Sequence, residues 1–188
     1  MLKYVSEKMF LLSSGRMTLA ALILFAVFIG YVLPDQAAKA AAYSGEAGSP
    51  DSSFFYSSSD LYQMAETYGA AGRAAYVHAR FTFDMIWPLV YLFFLGTAIS
   101  WSLGRALPAG SPWRFLNLFP AFGWLFDMCE NLSTSAVMLV FPKDTIFASL
   151  APIFTLVKWF FVNGSFLILI PAFLAALWAG RRKDRNAA

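Results

Sequence analysis

Four long apolar runs alternate with shorter polar segments along the chain. A transmembrane α-helix needs about 17 to 25 predominantly apolar residues to cross the hydrocarbon core of a bilayer, and each run reaches that length. The pattern therefore predicts an all-α membrane protein, a four-transmembrane-helix bundle that residues 1–188 form as a single membrane domain. The predicted spans are about residues 17–33, 81–103, 115–141 and 146–178.

The first apolar run has two interpretations. A basic start, an apolar core and the triplet Ala38-Lys39-Ala40 are typical of a secretory signal peptide with a cleavage site. However, the run from Met17 to Leu33 is longer than the apolar region of most signal peptides, which has about 7 to 15 residues. Its length favours a retained first transmembrane helix that ends at Pro34-Asp35, with cleavage as the alternative.

A long outer loop, residues 34–80, separates the first two predicted spans. Its first part, up to residue 58, is rich in Ala, Gly, Ser and Pro, which indicates little regular structure. The motif Ser59-Asp60-Leu61-Tyr62-Gln63 resembles a capping box and predicts a short amphipathic helix that Gly69 ends. A further helix is expected to begin near Arg73 and to continue without a break into the second span.

The composition and the placement of charge support this topology. Of the 188 residues, 59% are hydrophobic and only 13% are charged, which is far from the average of soluble domains. The net charge of +3 comes from basic residues beside the ends of the apolar runs, where an excess of Lys and Arg marks cytoplasmic segments. We therefore expect both termini in the cytoplasm and no nucleic-acid partner. These basic residues are Lys3, Lys8, Arg16, Arg105, Arg114, Arg181, Arg182, Lys183 and Arg185.

Side chains that hold metals or cofactors are scarce. The chain has one cysteine, Cys129, and one histidine, His78. Neither a metal-binding Cys/His spacing nor a Gly-rich phosphate-binding loop occurs. The sequence therefore predicts no metal site and no cofactor, and it contains no pair of cysteines for an intrachain disulfide.

The third predicted span carries polar residues near its middle. Asp127, Glu130 and Asn131 are spaced at i, i+3 and i+4 and so share one helix face. An ionised carboxyl costs roughly 2.5 to 3.5 kcal/mol at the centre of a bilayer, so this face is expected to point into the bundle. Lys158 of the fourth span and Tyr91 of the second lie at matching depths, and Lys158 is the natural counter-charge. These five residues form the predicted polar site.

Arg73, Arg80, Asp84 and Tyr91 fall on one stripe of the second predicted helix, at about 100° per residue. Arg80 and Asp84 are spaced at i, i+4 and can form an ion pair. One interpretation is a pair at the outer headgroup level, with Trp87 as an interfacial anchor. The other makes Arg73, Arg80 and Asp84 an outer lid over the deeper site.

Three functions are compatible with the polar site. Two carboxyls one turn apart exceed the need of a single lysine, and such pairs tend to separate their pKa values, which favours a functional site. We expect a small-ligand-binding or lipid-binding accessory protein or a transport component, with membrane lipid as a partner and any protein partner unknown. The alternatives are a membrane-embedded enzyme acting on a lipid or isoprenoid, and a structural subunit in which the network fixes helix register.

A series of Tyr, Gly, Arg and acidic residues follows a recognisable order: Tyr68-Gly69, Gly72-Arg73, Tyr76, Asp84, Pro88, Tyr91, Asp127 and Glu130-Asn131. The pattern resembles a family of uncharacterised bacterial four-span integral membrane proteins, and the resemblance covers most of the chain. It implies four helices and a location in the bacterial inner membrane, and it implies no particular activity.

Overall fold

The computed structural model describes residues 1–187, except for the side chains of residues 52 and 183–187, so the basic side chains of Lys183 and Arg185 lie outside the described residues. Within this part of the chain the secondary structure is entirely helical, which confirms the predicted all-α class. The α-helices in chain order are α1 (Leu2–Leu12), α2 (Gly15–Val27), α3 (Leu33–Ser44), α4 (Ser58–Arg80), α5 (Phe83–Ala106), α6 (Phe119–Val140) and α7 (Phe147–Ala187).

In the described part of the chain, three helical stretches, rather than the predicted four, are long and apolar enough to cross a membrane. They are Gly15–Ala47, Ser58–Ala106 and Phe147–Arg182. Helix α6, which corresponds to the third predicted span, has 22 residues and is long enough. It falls short in hydropathy because the polar residues near its middle offset its apolar ones. Length and hydropathy together therefore support three membrane-crossing stretches in the described residues.

The first long helical stretch continues past the point where the sequence predicted its end. A π-helical segment, Phe28–Val32, joins α2 to α3, and Pro34 lies in the first turn of α3. Proline is tolerated in the first turn because the amide hydrogen that it lacks has no partner there. The alanine-rich residues that follow are strong helix formers, so the prediction of irregular structure is wrong up to Ser44.

The remaining loop, residues 45–57, contains two single-turn 3-10 helices, Gly45–Ala47 and Pro50–Ser52. It ends at Ser57, the N-cap of α4. The Ser57 hydroxyl accepts a hydrogen bond from the Asp60 amide (3.2 Å), and the Asp60 carboxylate accepts one from the Ser57 amide (2.7 Å). The capping box therefore exists, but it begins two residues earlier than predicted.

Helix α4 is kinked at Gly69, where the predicted break is confirmed by a φ of 62° and a ψ of −179°. This backbone conformation is open almost exclusively to glycine. The sequence predicted that the helix beyond the kink runs unbroken into the second span. This prediction is wrong, because a turn at residues 81–82 separates α4 from α5. The Thr82 hydroxyl donates to the carbonyl of His78 (2.7 Å) and so satisfies an acceptor that the helix end leaves free.

The chain forms two compact units, and the first has a buried polar centre. The Ser6 hydroxyl donates to the side-chain oxygen of Asn117 (2.8 Å), and the Asn117 amide donates to the Ser6 carbonyl (3.1 Å) and the Ser100 hydroxyl (3.2 Å). These bonds fix α1 in the unit, because buried polar groups are costly without partners. The first unit comprises Met1–Phe25, Val90–Phe122 and the chain from Phe161 onward.

The second unit, Ala26–Leu89 and Gly123–Phe160, contains the loop, α3, α4 and the adjoining parts of α5, α6 and α7. Its apolar core lies where α4 packs against α6 and α7. The buried core residues are Leu61, Met64, Ala65, Tyr68, Tyr76, Val137, Met138, Ala148 and Ala151.

Gly72 allows α3 and α4 to approach closely. A Cβ atom at position 72 would lie 3.0 Å from Tyr68 Cβ and 3.3 Å from both the Cβ and the carbonyl oxygen of Tyr43. We expect Gly72→Ala to lower the free energy of unfolding by about 1 to 3 kcal/mol, as overpacking does, when measured by denaturation in detergent. Gly30→Ala is the matched control, since nothing lies within 4 Å of a Cβ there. Equal stability of the two variants would contradict the close packing.

Candidate functional site

Six charged side chains of the second unit meet in one buried group, called the polar cluster below. Four helices and the loop contribute to it, so residues far apart in the chain come together. Local helix formation places each side chain, and helix packing brings the side chains into contact. The polar cluster consists of Asp51 (loop), Arg80 (α4), Asp84 (α5), Asp127 and Glu130 (α6), and Lys158 (α7).

Lys158 lies among three carboxylates. Its ammonium nitrogen forms an ion pair with Glu130 and lies 3.9 Å from Asp127 Oδ1 and 3.7 Å from Asp51 Oδ1. The Lys158 side chain is 6% exposed and that of Glu130 is 1% exposed. The sequence predicted this counter-charge to the α6 carboxyls from helix depth alone, and the structure places it there.

Arg80 is the second cation of the polar cluster. Its Nε lies 2.9 Å from Asp84 Oδ2, so the predicted i, i+4 ion pair is present, and its Nη1 pairs with Asp51. The guanidinium also lies over the ring of Tyr76, 4.5 Å from the ring centroid. Arg80 is buried, so the charge is held by carboxylates and an aromatic face and not by water.

The hydroxyl groups of Thr155 and Tyr56 connect Glu130 to the loop by hydrogen bonds. Thr155 Oγ1 donates to Glu130 Oε1 at 2.7 Å, and the Tyr56 hydroxyl lies 2.9 Å from Thr155 Oγ1. Burial and the negative charge of Glu130 raise the pKa of the Tyr56 hydroxyl above its ordinary value. Tyr56 is therefore a neutral hydrogen-bonding group across the physiological pH range.

Asn131 leaves one buried acceptor unused. Its side chain is 2% exposed, and its amide nitrogen makes a long contact of 3.5 Å with the carbonyl of Asp84. Among the described residues, its side-chain oxygen has no hydrogen-bond partner. Buried acceptors of this kind are uncommon in native proteins, since burial without a partner costs about 1 to 3 kcal/mol. The second unit therefore holds an acceptor that a donor could use.

The sequence missed Asp51, Tyr56 and Thr155. Asp51 was assigned to an irregular loop, yet it bridges both cations of the polar cluster, and its side chain is 29% exposed. No periodicity marks a loop residue as part of a helical site. The local signal was the aromatic-rich segment Phe54-Phe55-Tyr56 beside Asp51, which is unusual in a solvated loop.

Arg73, which was predicted in the outer lid, has partners outside the polar cluster. Arg73 donates from Nη1 to the carbonyl of Ala65 (2.8 Å) and lies over the ring of Phe141, so it binds the helix end before the Gly69 kink and does not share the Arg80 ion pairs. The kink and the turn at residues 81–82 break the single stripe that the prediction assumed. Tyr91 is buried, and its place in the polar site stays a prediction.

The chemistry available in the polar cluster is that of carboxyl, ammonium and guanidinium groups. Among the described residues, no group of three or more His, Cys, Asp and Glu side chains has the arrangement of a metal site. The cluster holds four carboxyl groups against two cations. If all six were ionised, the cluster would carry two more negative than positive charges, and only Asp51, which is 29% exposed, is partly open to water. Three largely buried carboxylates would then face two buried cations, which is unfavourable. The arrangement is therefore suited to taking up positive charge.

Comparison with known proteins gives no match: no family model, no curated protein and no solved structure is significantly similar to the chain. The resemblance to bacterial four-span proteins stays a prediction from the sequence.

Proposed function

We propose that the protein is an integral membrane protein that binds a small, positively charged ligand in the polar cluster, as a ligand-binding component of transport. The observation that carries the proposal is the surplus of carboxyl groups. Asp84, Asp127 and Glu130 have side chains that are only 13%, 9% and 1% exposed, so water provides little compensation for their charge. A proton or a ligand that carries an ammonium group removes the imbalance.

The unused oxygen of Asn131 supports the same proposal independently. A ligand that carries a protonated ammonium group is a hydrogen-bond donor, and a buried side-chain carbonyl is an acceptor that such a ligand can use. A purely structural network is expected to pair its own donors and acceptors, because partly satisfied networks are less stable than apolar packing.

In the proposed topology α6 also crosses the membrane, in addition to the three apolar stretches. Leu125, Leu132 and Leu139 recur every seven residues along α6 and are 46%, 56% and 69% exposed, whereas Asp127 and Glu130 are buried. This is the pattern expected of a helix that turns its apolar side to lipid and its polar side to protein. With α6 included, we propose four spans in the bacterial inner membrane, with both termini in the cytoplasm and residues 45–57 outside.

The proposal is tested by titrating the protein in lipid nanodiscs. When the wild type is titrated from acid to neutral pH, we expect it to release fewer protons than it has carboxyl groups. If the ligand is an ammonium compound instead, we expect methylammonium chloride to raise the thermal stability of the wild type. The double variant Asp127→Asn/Glu130→Gln should lose both properties. The matched control is Asp35→Asn/Glu7→Gln, which alters two exposed carboxyls outside the polar cluster. Identical titrations of wild type and double variant, without any effect of methylammonium, would rule out the proposed ligand.

A lipid ligand would be detected by native mass spectrometry of the same nanodisc preparation. A lipid that stays bound to the wild type and is lost from the Asp127→Asn/Glu130→Gln variant would favour lipid recognition over binding of a small cation.

A further inference from the structure

An open groove of about 470 Å³ lies beside the loop in the second unit. Tyr56 lines this groove together with the carboxyl-bearing residues Glu46 and Asp60. Tyr56 is also the outer member of the hydroxyl chain that reaches Glu130. One side chain therefore connects a polar surface groove to a carboxyl group that is itself 1% exposed.

The hydrogen bonds that link Tyr56, Thr155 and Glu130 have a defined direction. Thr155 has one hydroxyl proton, which it shares between Glu130 Oε1 at 2.7 Å and the Ala151 carbonyl at 3.0 Å. It therefore has no proton left for Tyr56 and must accept one from the Tyr56 hydroxyl at 2.9 Å. Both hydroxyl protons thus point inwards, from the groove towards the carboxylate.

We infer that the positively charged ligand of the polar cluster is the proton, and that Glu130 exchanges it with the groove through Thr155 and Tyr56. The inference rests on the proposed function, since it names the ligand and its path. The hydroxyls of Tyr56 and Thr155 take no part in the ion pairs of the polar cluster. A purely structural role for Tyr56 would not require a series of hydrogen bonds that ends on a buried carboxylate.

The transfer is balanced at each atom. The O–H bond of Thr155 breaks as a new O–H bond forms on Glu130 Oε1, Thr155 takes the proton of Tyr56, and Tyr56 takes one from a hydronium ion in the groove, which is left as water. Both hydroxyls then rotate back before the next transfer. The titratable or charged groups around Glu130 are its ion-pair partner Lys158, the two tyrosines Tyr56 and Tyr76, and the other members of the polar cluster, Asp51, Arg80, Asp84 and Asp127.

The test is time-resolved infrared spectroscopy of the full chain in nanodiscs after a pH jump. The C=O stretch of a protonated carboxyl reports proton uptake, and Glu130→Gln assigns the band. We expect Tyr56→Phe and Thr155→Val each to slow the appearance of this band by about 100-fold, the lower range of what a positioned proton-transfer group contributes. Thr155→Ser, which keeps the hydroxyl, should restore most of the rate.

Two matched controls share the chemistry but lie outside the path. The Tyr62 hydroxyl contacts the Lys143 carbonyl and the Thr145 amide, and Thr97 donates to the carbonyl four residues before it, as Thr155 does. Tyr62→Phe and Thr97→Val should leave the rate unchanged. A Glu130 band that appears at the wild-type rate in both path variants would overturn the inferred path and leave the proposed function intact. The absence of any Glu130 band at all pH values would reject the proton as ligand, and methylammonium binding would then decide the proposed function separately.

Discussion

We expect Lys158→Met to lower the free energy of unfolding by about 3 to 5 kcal/mol, because it removes the cation from among three carboxylates and leaves buried negative charge without a partner. The ammonium group pairs with Glu130 and lies within 4 Å of Asp127 and Asp51. Denaturation in detergent measures the loss.

The control for this prediction is Lys39→Met, which breaks the exposed pair with Asp35. It should cost no more than about 0.5 kcal/mol, as exposed i, i+4 pairs do. The triple variant Lys158→Met/Asp127→Asn/Glu130→Gln should recover most of the lost stability, because both carboxyl charges are neutralised together with the cation. A Lys158→Met variant as stable as the wild type would show that Lys158 does not compensate the buried charge.

The triple variant also separates a structural role from a functional one. A network that only fixes helix register would leave a stable triple variant with unchanged function. If the polar cluster is a ligand site, the same variant should fold and yet lose ligand binding, because functional polar groups are retained at a cost in stability. We expect the second result in the nanodisc titration and in complementation of a deletion strain.

The second large effect is expected for Arg80→Met, at about 3 kcal/mol or more. The substitution leaves Asp84 without its ion pair and releases Asp51, the loop residue that Arg80 holds. Hydrogen exchange should therefore become faster at the amides of residues 45–57 as well as at the start of α5. Adding Asp84→Asn should recover part of the stability and none of the loop protection.

Arg73→Met is the matched control on the same helix. Arg73 makes one hydrogen bond to the Ala65 carbonyl and one contact with the Phe141 ring, and the described residues include no carboxylate within ion-pair distance of it. Its loss should cost about 1.5 kcal/mol and leave exchange in residues 45–57 unchanged. Equal loop exchange in the two variants would show that Arg80 does not hold the loop.

The number of membrane-crossing helices shows where hydropathy and packing differ as sources of information. Mean hydropathy averages over all side chains of a helix, whichever way they point. Asp127, Glu130 and Asn131 therefore lower the mean of α6 below that of a membrane-spanning helix. Its exposure pattern has direction, with the leucines outward and the acids inward. The sequence predicted this polar face from i, i+3 and i+4 spacing, since helical periodicity is a local property.

Local sequence also determined the Gly69 kink, the Arg80–Asp84 pair and the depth at which Lys158 lies, because each depends on residues in one helix or on a fixed rise per residue. It could not determine the end of the first helical stretch, where a proline fitted into a first turn instead of ending a helix. Only the tertiary structure decided that Asp51, Tyr56 and Thr155 join the charged side chains. Their contacts, over separations such as the 99 residues between Tyr56 and Thr155, follow from how the loop packs on α7, and no local pattern encodes that packing.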